Sequence, residues 1–141
     1  MISIVRDYIK ARIAEEDPKL KEWEDAFNID NIPASQLSDY YHIVYAVPNN
    51  LKIENCLAYE TVTAKLTLYR AGFQKPQVAL DAIMNKAHNI KLRAANPTVL
   101  TGTGSMKYVE VTGPNPDPVL TNDNTVKCEL DFNFLMIFNV L

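Results

Sequence analysis

Glycine is scarce in this chain, with only four in 141 residues. Neither a P-loop nor a dinucleotide-binding fingerprint can be assembled from them, because both need several glycines at fixed intervals to bring backbone N–H groups against phosphate. The nearest approach is Gly102-Thr103-Gly104-Ser105-Met106-Lys107. Its glycine spacing matches neither motif, and Lys107 heads a strand-like stretch where a P-loop would open a helix. It reads as a turn, with a phosphate cradle as the sharper alternative. The two cysteines, Cys56 and Cys128, exclude a disulfide-dense scaffold. The two histidines, His42 and His88, have no Cys, His or acid partners at ligand spacing. A metal site needs about three or four convergent ligands, so neither a metal nor a cofactor is expected. No apolar run approaches the roughly 18 residues of a membrane-crossing helix. The stretch Met1-Ile2-Ser3-Ile4-Val5-Arg6-Asp7 lacks the basic start and apolar core of a secretory signal. The expectation is a protein made in a reducing cytoplasm, with free thiols and no membrane partner. A net charge of −3 sets up no strong field toward nucleic acid or membrane.

What is present is pattern. From Val126 to Val140 every even position is apolar, through Cys128, Leu130, Phe132, Phe134, Met136 and Phe138. The odd positions begin polar (Lys127, Glu129, Asp131, Asn133) and then turn mixed (Leu135, Ile137, Asn139). Strict alternation is a β-strand with one buried face, and this one is far longer than the usual 5–6 residues or so. A second long alternation begins near Tyr59. Val62, Ala64, Leu66 and Leu68 share one face, and Thr61, Thr63, Lys65, Thr67 and Tyr69 share the other. A shorter strand is expected over Tyr41–Val47, and another over Met106–Thr112, stopped by Gly113-Pro114-Asn115-Pro116-Asp117-Pro118.

Helical spacing recurs three times. Val5, Tyr8, Ile9 and Ile13 predict a helix over residues 2–16. Asp17 as a cap and Pro18 at the first helical position, followed by Leu20, Trp23 and Phe27, predict a second over 18–28. Trp23 is then a core residue. Pro76 opens a third, with a buried stripe of Ala79, Leu80, Ile83, Met84, Ala87 and Ile90 and with Lys86 and Lys91 on its outer side. The expected architecture is a single α+β domain spanning residues 1–141, consistent with a chain 48% hydrophobic. Its sheet is mostly antiparallel or mixed, helices pack on one face, and a long strand closes the chain. Two stretches, 48–58 and 113–124, are expected as mobile loops.

The chemistry-bearing residues do not converge on a reaction. Glu129 and Asp131 share a strand face about 7 Å apart, a spacing open to acid–base work but equally to a solvated or interfacial face. Serines occur without a nucleophile elbow, and neither cysteine has a catalytic signature. No enzymatic activity is expected. Lys86, Lys91 and Arg93 make a small basic patch without the interleaved aromatics of a single-strand-binding platform. Residues 75–107 carry an excess of Lys and Arg, and residues 108–141 an excess of Asp and Glu. This is either an ordinary solvated helix beside an acidic strand or a polar subunit that stacks head to tail. The face bearing Thr61, Thr63, Lys65, Thr67, Glu129, Asp131 and Asn133 is either solvated or a subunit interface.

The layout resembles the tail terminator (tail completion, or neck) proteins of tailed bacteriophages. The resemblance is carried by Asn28-Ile29-Asp30-Asn31-Ile32-Pro33 after a helical start and by the strand Tyr41-His42-Ile43-Val44-Tyr45. Leu66-Thr67-Leu68-Tyr69-Arg70-Ala71-Gly72-Phe73, the helix Ala79-Leu80-Asp81-Ala82-Ile83-Met84 and the closing Cys128-Glu129-Leu130-Asp131-Phe132-Asn133-Phe134 complete it. It covers most of the chain and is one of layout, with no catalytic signature to match. It implies a virion protein, assembled in the host cytoplasm, that forms a ring, usually hexameric. The ring caps the tail tube and meets the head-completion or connector protein, and DNA passes through its lumen without specific binding. In that reading Glu110, Glu129 and Asp131 are expected at an acidic lumen, with Lys86, Lys91 and Arg93 outside it. A head–tail connector or minor capsid component is the related alternative. A small ligand-binding domain or enzyme using the Gly102–Lys107 turn is the unrelated one.

Overall fold

The computed structural model describes residues 2–22, 39–46, 52–71, 75–96, 106–117 and 125–139. Two long strands form its centre: β4 (Leu57–Ala71) and β6 (Thr125–Asn139), each of 15 residues. They pair antiparallel without a slip, from Leu57 opposite Asn139 to Ala71 opposite Thr125. β2 (Asp39–Ala46) pairs antiparallel with β4 on its other side, and β5 (Met106–Asp117) pairs antiparallel with β6. β1 (Lys21–Glu22) adds a short parallel edge to β2, which gives the order β1-β2-β4-β6-β5. β3 (Lys52–Glu54) pairs with the start of β4. The result is the expected single α+β domain with a six-stranded mixed sheet.

Because paired residues in a sheet share a face, the apolar positions fall on one side as their alternation requires. Val62, Ala64, Leu66 and Leu68 of β4 stand opposite Phe134, Phe132, Leu130 and Cys128 of β6, and all eight are buried. On this face lie α1 (Ile2–Glu16), through Val5, Tyr8, Ile9 and Ile13, and α2 (Pro76–Ala94), through Ala79, Ile83, Ala87, Ile90 and Ala94. Three of the five buried α2 residues are alanine, which lets the helix backbone approach the sheet: the Cys128 Sγ lies 3.7 Å from the Ile83 carbonyl oxygen. The Tyr8 ring meets Phe134 edge-on at 5.8 Å, and its hydroxyl donates to the Ala94 carbonyl oxygen at 2.5 Å. That bond satisfies one of the carbonyls left open at the end of α2. Among the described residues no helix is long and apolar enough to cross a membrane.

Three local expectations are corrected. The helix expected over 18–28 does not form across its first residues: Pro18 and Lys19 make a turn, and Lys21–Glu22 is a strand. Asp17 does accept the Lys19 N–H at 2.9 Å, while the Leu20 N–H bonds the Asp17 carbonyl at 3.1 Å. This is the bond an N-cap makes, but an Asx-turn makes it too, and pairing with Tyr40 and Tyr41 decides the outcome. Trp23 and Phe27 lie outside the described residues. Within 48–58, residues 52–58 form a hairpin rather than a loop. Glu54 stands opposite Leu57 across Asn55 and Cys56, both at positive φ (51° and 63°), as a two-residue type I′ turn demands.

The third correction concerns Gly113–Asp117, which continues β5 instead of ending it. β5 is an edge strand, where a proline's missing N–H faces away from the ladder. The ladder shifts register between Thr112 and Asn115, the Gly113-Pro114 peptide is cis, and Gly113 sits at φ +107°. A Cβ there would lie 2.7 Å from the Glu129 carbonyl oxygen. Lys91 of α2 donates to the Gly113 carbonyl at 2.8 Å and ties the bulge to the helix layer. The rest of 113–124 lies outside the described residues.

Two substitutions test this packing. Phe132→Ala removes a ring that is 2% exposed and should cost about 3–5 kcal/mol in urea denaturation; a loss under about 1 kcal/mol would place the side chain on the other face. Gly113→Ala should cost about 2 kcal/mol by forcing a methyl group against the β6 backbone, and an unchanged midpoint would mean that the bulge is open.

Candidate functional site: the open face of the sheet

The pleat that buries the apolar residues sends the intervening ones to the opposite side. Thr61, Thr63, Lys65 and Thr67 of β4 stand directly opposite Leu135, Asn133, Asp131 and Glu129 of β6. All seven candidate interface residues therefore share one face and lie on its two central strands. They are not equally available. Thr67 is only 7% exposed, and Tyr40 and Tyr69 beside it on this face are buried too. The expectation that Thr67 belongs to an accessible surface is thus corrected: that end of the face is covered, and the open part begins at Lys65.

Around Lys65 the face forms a hollow of about 570 Å³, open to solvent. Its floor is Thr63 and Lys65 from β4 with Asp131 and Asn133 from β6. One wall is Val44 and Ala46 of β2, and the other is Glu110 and Thr112 of β5. Val44 is 56% exposed, an unusual state for a valine in a strand next to the sheet centre. The Thr63 hydroxyl donates to the Ala46 carbonyl at 3.3 Å. Lys65 Nζ sits 3.5 Å from Glu129 Oε2 and not against Asp131, its cross-strand partner. With both side chains a third or more exposed, that pair contributes little, about 0–1 kcal/mol. Among the described residues Glu110 and Asp131 have no cationic partner. The hollow is thus apolar on one wall and acidic on the other.

The remaining candidates do not converge on it. His42 lies on this face of β2, whereas His88 is exposed on α2, across the sheet. Among the described residues no three His, Cys, Asp or Glu side chains are placed to hold a metal. Cys128 is a core residue; burial, with Glu129 adding to it, pushes its thiol up to about 12, so it holds its proton. Cys56 is exposed at the tip of the β3–β4 turn. Gly102–Ser105 lies outside the described residues.

The basic residues of α2, expected on its outer side, all have partners within the chain; Lys86 and Lys91 are part-buried and Arg93 is exposed. Lys91 holds Gly113, and Arg93 Nε is 3.2 Å from Glu16 Oε2, which shares the Glu16 carboxylate with Asn89. Lys86 donates to Asp17 at 2.8 Å and also to Asp39, and Asp39 takes a two-pronged contact from Arg70 at 2.7 and 2.9 Å. This half-buried cluster joins the end of α1, the middle of α2 and the edges of β2 and β4. Sequence reasoning missed it, since its hydrogen-bonded partners lie 31 to 69 residues apart and no local pattern relates them. Burial pushes the Asp39 carboxyl up, but the Arg70 and Lys86 hydrogen bonds outweigh it and hold Asp39 below the usual range. The Lys86 bond likewise lowers Asp17. Burial pulls Lys86 down, and its bonds to Asp17 and Asp39 raise it above the ordinary lysine value.

The signs set a pH window. Carboxylates depressed in the folded state contribute stability above their unfolded value of about 4, lost as pH falls through the folded one. A raised lysine contributes below its unfolded value of about 10.4, and that share is lost as pH rises through the folded value. Asp39→Asn should cost about 3 kcal/mol at pH 7, as breaking a buried pair does. It should also flatten the fall in stability below about pH 4. Urea midpoints measured from pH 2 to 8 check both, and an acid limb as steep as wild type would remove Asp39 from the linkage.

No protein-family model matches this chain, and no characterised protein matches it closely enough to lend a function, so the functional reading rests on the geometry above.

Proposed function

We propose that this chain is a structural protein that assembles with copies of itself into a ring. The ring caps the tail tube of a tailed bacteriophage and joins it to the head-completion protein. One observation carries the reading: two 15-residue strands hold open a face with a hollow that has an exposed valine on one side and, among the described residues, acids without a cationic partner on the other. A face that ends in solvent has little reason to expose Val44 beside Glu110 and Asp131, which have no cationic partner among the described residues. A face that meets a protein has both, an apolar centre and charges that choose the partner.

The resemblance in layout to tail terminator proteins supplies the kind of ring, its place in the virion and its six-fold order. The state of the basic residues fits passage of DNA without capture. Each phosphate neutralised adds affinity through counterion release, and Lys86, Lys91 and Arg93 are occupied by Asp17, Asp39, Gly113 and Glu16. A head–tail connector would use the same surfaces and differ only in the neighbour it meets.

Light scattering of the purified protein should give a mass several times that of one chain, rising with concentration, and electron microscopy should show rings. Pull-down with tail tube protein and with head-completion protein then separates terminator from connector. A strictly monomeric protein at high concentration, together with no ring in assembled tails, would overturn the reading.

A further inference from the structure

The side of α2 that faces away from the sheet carries an ordered stripe. The helix buries Ala79, Ile83, Ala87, Ile90 and Ala94. On its opposite side, at the spacing of one helical face, stand Val78, Asp81, Asn85, His88 and Leu92, all exposed. Val78 is 62% exposed and Leu92 59%, high values for large apolar side chains. Each lies seven positions from Asn85, one before it and one after. Asp81 lies between Val78 and Asn85, and His88 between Asn85 and Leu92. From either end the stripe reads apolar, ionisable, amide, ionisable, apolar, with the acid in one half and the base in the other.

We propose that α2 packs against α2 of a second copy, antiparallel, about a two-fold axis at Asn85. Val78 of each copy then faces Leu92 of the other. Asp81 comes level with His88 of the other copy to within one residue's rise, about 1.5 Å. At 100° per residue both fall on the same flank of the stripe, and a two-fold axis normal to the helix keeps each flank facing itself. Gln77 holds one Asp81 oxygen at 2.8 Å, which leaves the other to accept the imidazole N–H. The two Asn85 amides meet on the axis, where each has a donor and an acceptor for the other. A polar pair of this kind fixes the register of two helices.

A second observation points to the same occupant. Beside Leu92 is a hollow of about 310 Å³, lined by Glu16 of α1 and by Asn89, Leu92 and Arg93. Asn89 and Arg93 lie on the flank toward which Val78 leans, so Val78 of the other copy enters there. Val78 of the same copy cannot, being about 21 Å away along the helix. Arg93 is paired with Glu16 at 3.2 Å, so Lys75 of the other copy, arriving just beyond them, meets a neutral pair. The contact lies on the helix layer, across the sheet from Lys65, and does not rest on the ring reading. It is isologous and closes at two copies; within a ring it would join one ring to a second. One helix stripe is smaller than the roughly 800 Å² a side of a standard interface, so the dimer should be reversible and grow with concentration.

Asn85→Cys provides the test, in a Cys56→Ser background that leaves only the buried Cys128 besides the introduced thiol. Helix axes about 8–10 Å apart, with Cα atoms about 2.3 Å from each axis, bring the two Cα atoms at position 85 to about 4–5 Å, within reach of a disulfide. Mild oxidation should give one doubled band on a non-reducing gel and no ladder, because a two-fold contact is closed. Val78→Cys in the same background should stay single, since its two thiols stand about 21 Å apart. Val78→Lys and Leu92→Glu should each weaken the dimer at least tenfold by analytical ultracentrifugation. The two together should restore it, because 78 faces 92 only when the helices run antiparallel. A single band from Asn85→Cys, or a dimer indifferent to Val78→Lys, overturns the contact. Rings that form alongside either result leave the ring reading intact. A doubled band with no rings supports the helix contact and counts against the ring.

Discussion

The register between β4 and β6 is the constraint on which everything else depends. Side chains alternate with a period of two, so a slip by one residue would send every apolar side chain of one strand to the opposite face. Fifteen consecutive pairs hold without a bulge. The consequence is a sheet with two unlike faces, one entirely apolar through Val62–Leu68 and Cys128–Met136, the other lined by threonine, lysine, acids and asparagine. The helices have one place to pack, and the opposite face is left for another task.

A second constraint fixes the layers against each other. Hydrophobic contact is non-directional and tolerates sliding of a helix over a sheet. The cluster of Asp17, Lys86, Asp39 and Arg70 does not, because each hydrogen bond has a length and a direction, and a half-buried charge left without its partner is costly. At the C-terminal end of α2, the Tyr8 hydroxyl on Ala94 and the Lys91 ammonium on Gly113 do the same work. The helix layer is pinned at the middle and at the C-terminal end of α2, and Lys86, Lys91 and Arg93 take part in pinning it. Lys86 is paired with Asp17 and Asp39, and Arg93 with Glu16, all from the first forty residues and none from the acidic C-terminal third. The open face keeps Lys65 beside Glu129, with Glu110 and Asp131 lacking a cationic partner among the described residues.

The seven residues marked as a candidate interface show where sequence reading succeeds and where it stops. Alternation places Thr61, Thr63, Lys65 and Thr67 on one face, and Glu129, Asp131 and Asn133 on one face, because alternation is local. That the two sets face each other across a single pair of strands is a matter of register. Alternation says nothing of the cover over Thr67, Tyr40 and Tyr69, nor of the hollow, whose walls come from β2 and β5.

By itself, the sequence determined the two long strands, the two helices and the apolar face they share, since hydrophobic period is set by neighbours a few residues apart. It also determined the scarcity of glycine, histidine and cysteine that argues against a phosphate cradle or a metal centre. The tertiary structure decided the rest. Asp17-Pro18 became a turn because a sheet edge was there to take Lys21 and Glu22, while the same hydrogen bond could have opened a helix. Gly113–Asp117 stayed in the sheet because β5 is an edge, where proline loses nothing. Lys86 turned inward because Asp17 and Asp39, 69 and 47 residues away, arrive beside it. In each case the choice between two locally acceptable states was made by a partner distant in the chain, and no window of sequence contains that partner.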